Sequence, residues 1–261
     1  MYVFEFLKPG ITIECGDEEL AWKIGNLLNH IESSFYEANV SLNLFINEMQ
    51  RTGRDTDSSK LLSEFELDMK KRSELERQVR EEMGVSGYNE YVIIEAEARL
   101  RREKWNGGTP PESHSNALKY VYAKSFLSSI DSIKKFLNAL ANSKELTTPE
   151  KVKELYKSFC EEFPDLRGVR NTTQHLDERV RGIGQDRKPM QIQPINKEEL
   201  QIPAGIAVFN ILNGSKFGTT MGDGSYGEVD VSPETLKKIQ IIIQELMNCF
   251  RWVGPKSLLP R

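Results

Sequence analysis

Apolar and polar positions along this chain follow two rhythms, and the longer-period one dominates. From about Glu18 to Gln50, Leu20, Ile24, Leu27, Ile31, Phe35, Leu42, Phe45 and Met49 recur at three- and four-residue spacing, the period of an amphipathic helix, with Asp17 placed to cap it. After a polar break over Thr52 to Ser59, the interval Lys60 to Met83 sets Leu61, Leu62, Phe65, Leu67, Met69, Leu75, Val79 and Met83 among dense charges, which predicts a helix with a broad solvated face. Tyr91 to Leu100 predicts another, ending in R-L-R-R-E-K-W before the breaker Gly107 to Glu112. A long apolar face from Ala117 to Leu140, carrying Leu118, Val121, Phe126, Ile130, Ile133 and Leu137, is the candidate centre of the core. Pro149 opens a shorter helix through Val152, Leu155, Phe159 and Phe163, which Pro164 ends or kinks. Ser232-Pro233-Glu234 supplies cap, first-turn proline and first-turn acid for a closing helix over Leu236 to Phe250, which Gly254-Pro255 stops.

The second rhythm is short and β-rich. Tyr2 to Leu7 and Ile11 to Cys15, separated by Lys8-Pro9-Gly10, predict a small hairpin within residues 1–16. Ile206 to Leu212, Lys216 to Met221 and Gly227 to Val231, separated by Asn213-Gly214 and Gly222-Asp223-Gly224, predict two or three antiparallel strands over 205–231, inserted before the closing helix. Between Gly182 and Pro194 the chain reads as a polar loop. The expected architecture is mainly α, a single helical-bundle domain over 1–261 with long N-terminal helices and a small antiparallel β appendage. Gly218, Gly222, Gly224 and Gly227 are read as turn glycines, because no Walker or G-x-G-x-x-G context surrounds them.

Composition narrows the function classes. With 35 Lys and Arg against 39 Asp and Glu, the net charge of -4 provides no global attraction to nucleic acid or an anionic membrane, so any nucleic-acid contact must be local. The most basic short run, Arg99, Arg101, Arg102 and Lys104, is diluted by Glu95, Glu97 and Glu103 and is read as a solvated helix end. Cys15, Cys160 and Cys249 are far apart and lack close C-x-x-C pairing, as expected for small buried residues of a reduced cytosolic chain. The start M-Y-V-F-E-F-L-K-P-G has no signal-peptide pattern, and no interval approaches a membrane span, so a cytoplasmic location without membrane contact is expected. Neither a cofactor nor a metal is implied.

The remaining candidate chemistry lies between Arg170 and Arg181, R-N-T-T-Q-H-L-D-E-R-V-R. Of the three histidines, His30 beside an apolar stripe and His114 near a helix start are ordinary positions, which leaves His175. The tight string R-N-x-x-x-H would arise by chance about once per hundred chains of this composition. R-N-T-T-Q-H, following a helix break in a helical domain, resembles the signature of the HEPN superfamily, and the following L-D-E-R resembles that of bacterial members. The resemblance covers this motif and, more loosely, the helices from about Ala117 to Val180 with the closing helix.

That resemblance implies a HEPN-like helical bundle in which two protomers bring their motifs together as a metal-independent endoribonuclease site. Arg170 and His175 are the matching catalytic positions, and Asn171 is the supporting polar residue. It also implies an RNA substrate, a homodimer, toxin or antiphage-defence settings, and a protein partner such as an antitoxin. The residue chemistry is compatible. RNA is cleaved by its own 2′-hydroxyl when a base removes the proton, an acid protects the leaving oxygen and a cation steadies the phosphate; histidine and arginine supply these roles. A twofold dimer would supply the two histidines. On a regular helix Asn171 and His175 lie about 40° apart and Arg170 and His175 about 140°, so Arg170 is expected to reach around from a helix start or kink, which Pro164 and Gly168 permit. Glu178 and Arg179, one turn onward, are placed to tune His175 and are read first as surface ion-pair residues. A noncatalytic helical interaction protein or nucleotide-binding scaffold using the same groove is the alternative. A DNA-binding regulator fits less well, given the net acidity and the lack of a helix-turn-helix pattern.

Overall fold

The three- and four-residue spacing resolves into six α-helices, and the polar stretch forms two more, in a computed structural model that describes residues 1–52, 58–197 and 200–261. They are α1 (Glu18–Thr52), α2 (Ser58–Met83), α3 (Glu90–Asn106), α4 (Glu112–Asn142), α5 (Glu150–Glu162), α6 (Leu166–Gln174), α7 (Leu176–Arg179) and α8 (Pro233–Asn248). The fold is thus mainly α with small antiparallel sheets, and no described helix is long and apolar enough to cross a membrane. The polar break expected over Thr52 to Ser59 falls largely on 53–57, outside the described residues.

Where the pattern predicts one domain, contacts divide the chain into two compact units, residues 1–46 with 120–261, and residues 47–119. The boundaries fall inside α1 and α4, so no interruption of periodicity marks them. In the larger unit most of the predicted stripes are buried: Ile24, Ile31, Phe35 and Leu42 on α1, where Leu28 is buried and the expected Leu27 only partly so, Phe126, Ile130, Ile133 and Leu137 on α4, where Val121 is exposed, Val152, Leu155 and Phe159 on α5, and Leu236, Ile239, Ile243 and Leu246 on α8. His30 stacks on Phe136, with ring centroids 5.1 Å apart, so it is a packing residue between α1 and α4. Ser232 caps α8 as its sequence predicts, its hydroxyl accepting the Thr235 N–H at 3.2 Å. In the smaller unit α2 and α3 share a buried cluster of Leu75, Ala96 and Leu100, and Arg99 grips both carboxylate oxygens of Glu82 at 2.8 and 2.7 Å.

The N-terminal hairpin expected over 1–16 is not formed. β1 (Phe6–Lys8) pairs instead with β9 (Ser257–Leu259), and β2 (Thr12–Ile13) with β8 (Trp252–Val253), both antiparallel. Gly10 explains the choice: a side chain there would meet Trp252 Cβ at 2.7 Å and the Val253 carbonyl oxygen at 2.8 Å, so the turn is built for close approach to the C-terminal strand. Gln244 of α8 completes the edge, accepting the Leu7 N–H at 2.7 Å and donating to the Leu7 carbonyl at 3.0 Å. The ends of the chain are therefore paired with each other.

The appendage expected over 205–231 is a three-stranded antiparallel sheet, β5 (Ile211–Asn213), β6 (Lys216–Thr220) and β7 (Tyr226–Asp230), in that order. A further pair, β3 (Ile195–Lys197) with β4 (Leu200–Ile202), lies in a stretch with no strong sequence signal. The three-stranded sheet docks on α6. Met221 is wedged where side chains are missing: Gly168 of α6 faces its sulfur, and an added Cβ at Gly227 would lie 2.6 Å from the same atom. Asp165 Oδ2 accepts the Glu228 N–H at 3.2 Å, and the Thr172 hydroxyl lies 3.5 Å from the Thr220 carbonyl oxygen. Of the expected helix start or kink, a start is formed, at Leu166 just after Pro164, and Gly168 sits inside the regular helix as a docking surface. Gly168→Ala is expected to destabilise the chain by about 1–2 kcal/mol through overpacking. Most of that cost should vanish in a Met221→Ala background, a coupling of about 1 kcal/mol in a denaturation double-mutant cycle. Additive losses would contradict the wedge.

Candidate functional site

The polar stretch folds as two short helices with one break. α6 buries Leu166, Val169 and Thr172, at i, i+3 and i+6, and this turns Arg170 and Asn171 to its flank. Phe163, Pro164 and Asp165 separate α5 from α6, as the proline predicts. The break after α6 is His175 itself. Its φ of -111° and ψ of 34° leave helical geometry, its N–H donates to the Asn171 carbonyl at 3.0 Å, and its carbonyl accepts the Glu178 and Arg179 N–H groups at 3.1 Å each. The residue closes one helix and opens the next. Its side chain is exposed, and among the described residues the imidazole has no hydrogen-bond, ionic or ring partner.

Arg170 occupies a different environment. Its side chain is 20% exposed and its Nε lies 3.1 Å from Oδ2 of Asp131 on α4, a carboxylate only 5% exposed. Lys135 Nζ approaches the same oxygen at 2.9 Å. Although Nε and Oδ2 are close, neither atom makes a well-directed hydrogen bond, so charge attraction holds the pair. Arg170 Nη1 lies 3.5 Å from the Asn171 side-chain oxygen, a long contact that puts the expected supporting residue beside the arginine. Thr173 donates its hydroxyl to the Arg170 carbonyl at 2.7 Å. The arginine is fixed toward α4 while the histidine is open, and within one chain no hydrogen bond joins their side chains among the described residues.

Asp131 is a residue that sequence reasoning passed over. The available signal was an acid on the buried face of α4, between Ile130 and Ile133, where an ionised side chain needs a cation.

Arg179 differs from its expected place in a surface ion pair. It is 7% exposed, and Nη1 donates to the carbonyls of Ile183 at 2.7 Å and Gly184 at 2.9 Å. Glu178 Oε2 lies 3.4 Å from that nitrogen. The guanidinium lies against Gly222, where a Cβ would be 3.1 Å from Nε and Nη2. The Gln185 N–H donates to the Gly222 carbonyl at 2.9 Å. Arg179 therefore clamps the 183–188 turn to the tip between β6 and β7. Asp177, nearby, pairs with Arg181 at 3.4 Å.

The basic run of α3 is held by its own acidic partners. Arg101 pairs with Glu97 at 2.8 Å, Arg102 with Glu95 at 3.6 Å, and Lys104 with Asp68, as a solvated helix end should. Among the described residues no group of three or more His, Cys, Asp or Glu is arranged to hold a metal ion. The cysteines are free thiols; Cys15 is exposed rather than buried, and burial pushes the Cys249 thiol up from its ordinary value.

Loss of the Arg179 clamp is expected to cost about 3 kcal/mol in Arg179→Ala, because two carbonyls lose a charged donor. The Gly184 and Gln185 amides should then exchange faster with deuterium. Unchanged protection at both would contradict the clamp.

Comparison with known proteins adds no family to this geometry: no family model, no curated protein and no solved structure matches the chain.

Proposed function

We propose that this chain is a metal-independent endoribonuclease of HEPN type, which cleaves RNA through attack of the 2′-hydroxyl at a site composed of Arg170 and His175 from two copies. The observation that carries this reading is the exposed imidazole of His175, held at the break between α6 and α7 by backbone hydrogen bonds and free of side-chain partners among the described residues. A histidine kept for packing would be stacked, as His30 is. An accessible imidazole on a fixed backbone suits proton transfer with a bound substrate. Arg170, anchored by Asp131 and Asn171, supplies a cation whose position is set before substrate arrives. One copy offers one such histidine, so base and acid are both filled only when a second copy contributes its own. Toxin control or antiphage defence, with a protein partner restraining the activity, is the setting this chemistry fits.

A specific observation favours a second reading. Asp131 already neutralises much of the Arg170 charge, which suits a structural arginine in a noncatalytic interaction domain. The two readings separate by activity. Purified protein in excess chelator is expected to cleave single-stranded RNA, and His175→Ala should reduce the rate by 100-fold or more. That exposed substitution should change stability by no more than about 0.5 kcal/mol. Arg170→Ala should abolish cleavage and also lower stability. Equal rates for wild type and His175→Ala would rule out the nuclease, and a stable, inactive wild type would leave the interaction domain.

A further inference from the structure

The smaller unit holds a surface that the RNA reading does not use. Helix α3 has two apolar faces. One, Val92, Ala96 and Leu100, is buried and shares a core with Leu75 of α2. The other runs Tyr91, Ile94, Ala98 and Trp105 at intervals of three, four and seven residues, with Arg101 at the remaining position of the repeat. Successive helical residues turn by about 100°, which sets this seam opposite the buried stripe. Tyr91 is 75%, Ile94 56% and Trp105 45% exposed. A groove of about 440 Å³ follows the seam past Ile94, Ala98 and Trp105, and shares Trp105 and Arg101 with a larger one, about 1160 Å³, that includes Phe65, Met69 and Pro110.

A three-four repeat opposite a helix's own core is the pattern that receives another helix. The charges on α3 identify which one. Residues 90–97 carry Glu90, Glu95 and Glu97 and no base, whereas residues 98–106 carry Arg99, Arg101, Arg102 and Lys104 against a single acid, Glu103. This polarity suits the dipole of α3 itself, but a dipole does not account for exposed aromatic residues. Antiparallel pairing of two copies accounts for both. Symmetry about Ala98 sets the small residue at the twofold axis, the acidic half of each helix along the basic half of the other, and Tyr91 of each copy beside Trp105 of its mate.

We propose that the Tyr91–Ile94–Ala98–Trp105 face of α3 is a self-association surface, on which a second copy of this chain packs its own α3 antiparallel. The groove by Phe65, Met69 and Trp105 receives the second copy's Tyr91, an aromatic anchor in an apolar pocket, twice per dimer. The ion pairs within the chain, Glu97 with Arg101 and Glu95 with Arg102, sit at the rim and exchange partners across the interface. This proposal does not rest on RNA cleavage, because it uses residues 47–119 only.

Sedimentation equilibrium of the full chain tests it. Wild type is expected to show a micromolar association step through α3, in addition to any pairing of Arg170–His175 sites, and the α3 variants report on that step alone. A Glu95→Lys/Glu97→Lys variant makes both halves of α3 basic, and an Arg101→Glu/Arg102→Glu variant makes both acidic. Each alone should self-associate at least tenfold more weakly, and an equimolar mixture should recover the dimer. Tyr91→Ala, which leaves the chain's own core intact, should weaken wild-type association by a similar factor even if the charge reversals disturb α3. A monomeric wild type, variants that dimerise as tightly as wild type, or a mixture no tighter than its components would each overturn the proposal, as binding of a different protein by this face would do through the first outcome.

Discussion

The local order of the candidate site depends on the seating of Met221 between Gly168 and Gly227. α6 has nine residues, too few to persist as a helix without packing. It is held because the β5–β7 sheet presses on it through that side chain, with Asp165 and Thr172 contacting backbone atoms of Glu228 and Thr220. The sheet is thus part of the support for the motif. Its turn carries Gly222, against which Arg179 lies, so the same docking fixes the chain after α7. Remove the wedge and α6, which ends at the His175 break, loses the packing that holds it.

A second constraint is electrostatic. Asp131 is a buried acid on α4, and an isolated carboxylate there would be costly. Lys135 and Arg170 meet that requirement together. Stability and chemistry draw on the same guanidinium: it must stay near Asp131 to balance a buried charge, and it must face a phosphate to act on RNA. With five donors in a planar fork, arginine can hold the carboxylate with one edge and leave another for a ligand, which a lysine could not do. The Asn171 oxygen near Nη1 restricts the fork further.

The helices were legible because their signals are local. The stripe Ile24, Ile31, Phe35 and Leu42 is buried as its spacing requires, and Ser232-Pro233 begins α8 where its cap places it. The strands of residues 205–231 were legible for the same reason, with Asn213-Gly214 and Gly222 to Gly224 marking the turns. What was not legible involves partners distant in sequence. β1 and β2 look like a hairpin in isolation, yet each pairs with a strand near the far end of the sequence, Phe6 with Leu259 and Thr12 with Val253, a choice set by Gly10 and by the side chain of Gln244. Arg179 looked like a surface charge because nothing near it in sequence reveals that the carbonyls of Ile183 and Gly184 turn back over it. The motif was visible as a string; that its arginine is tied to α4 and its histidine is free required the fold.

The account turns on the chemistry assigned to His175 and Arg170, and the ends of the RNA fragments test it most directly. Attack by the 2′-hydroxyl breaks the bond to the 5′ oxygen of the next nucleotide, leaving a 2′,3′-cyclic phosphate on one fragment and a 5′-hydroxyl on the other. Fragments with those ends, produced in chelator by wild type and not by His175→Ala, are the expected result. Intact RNA, or fragments bearing 5′-phosphates, would contradict the account.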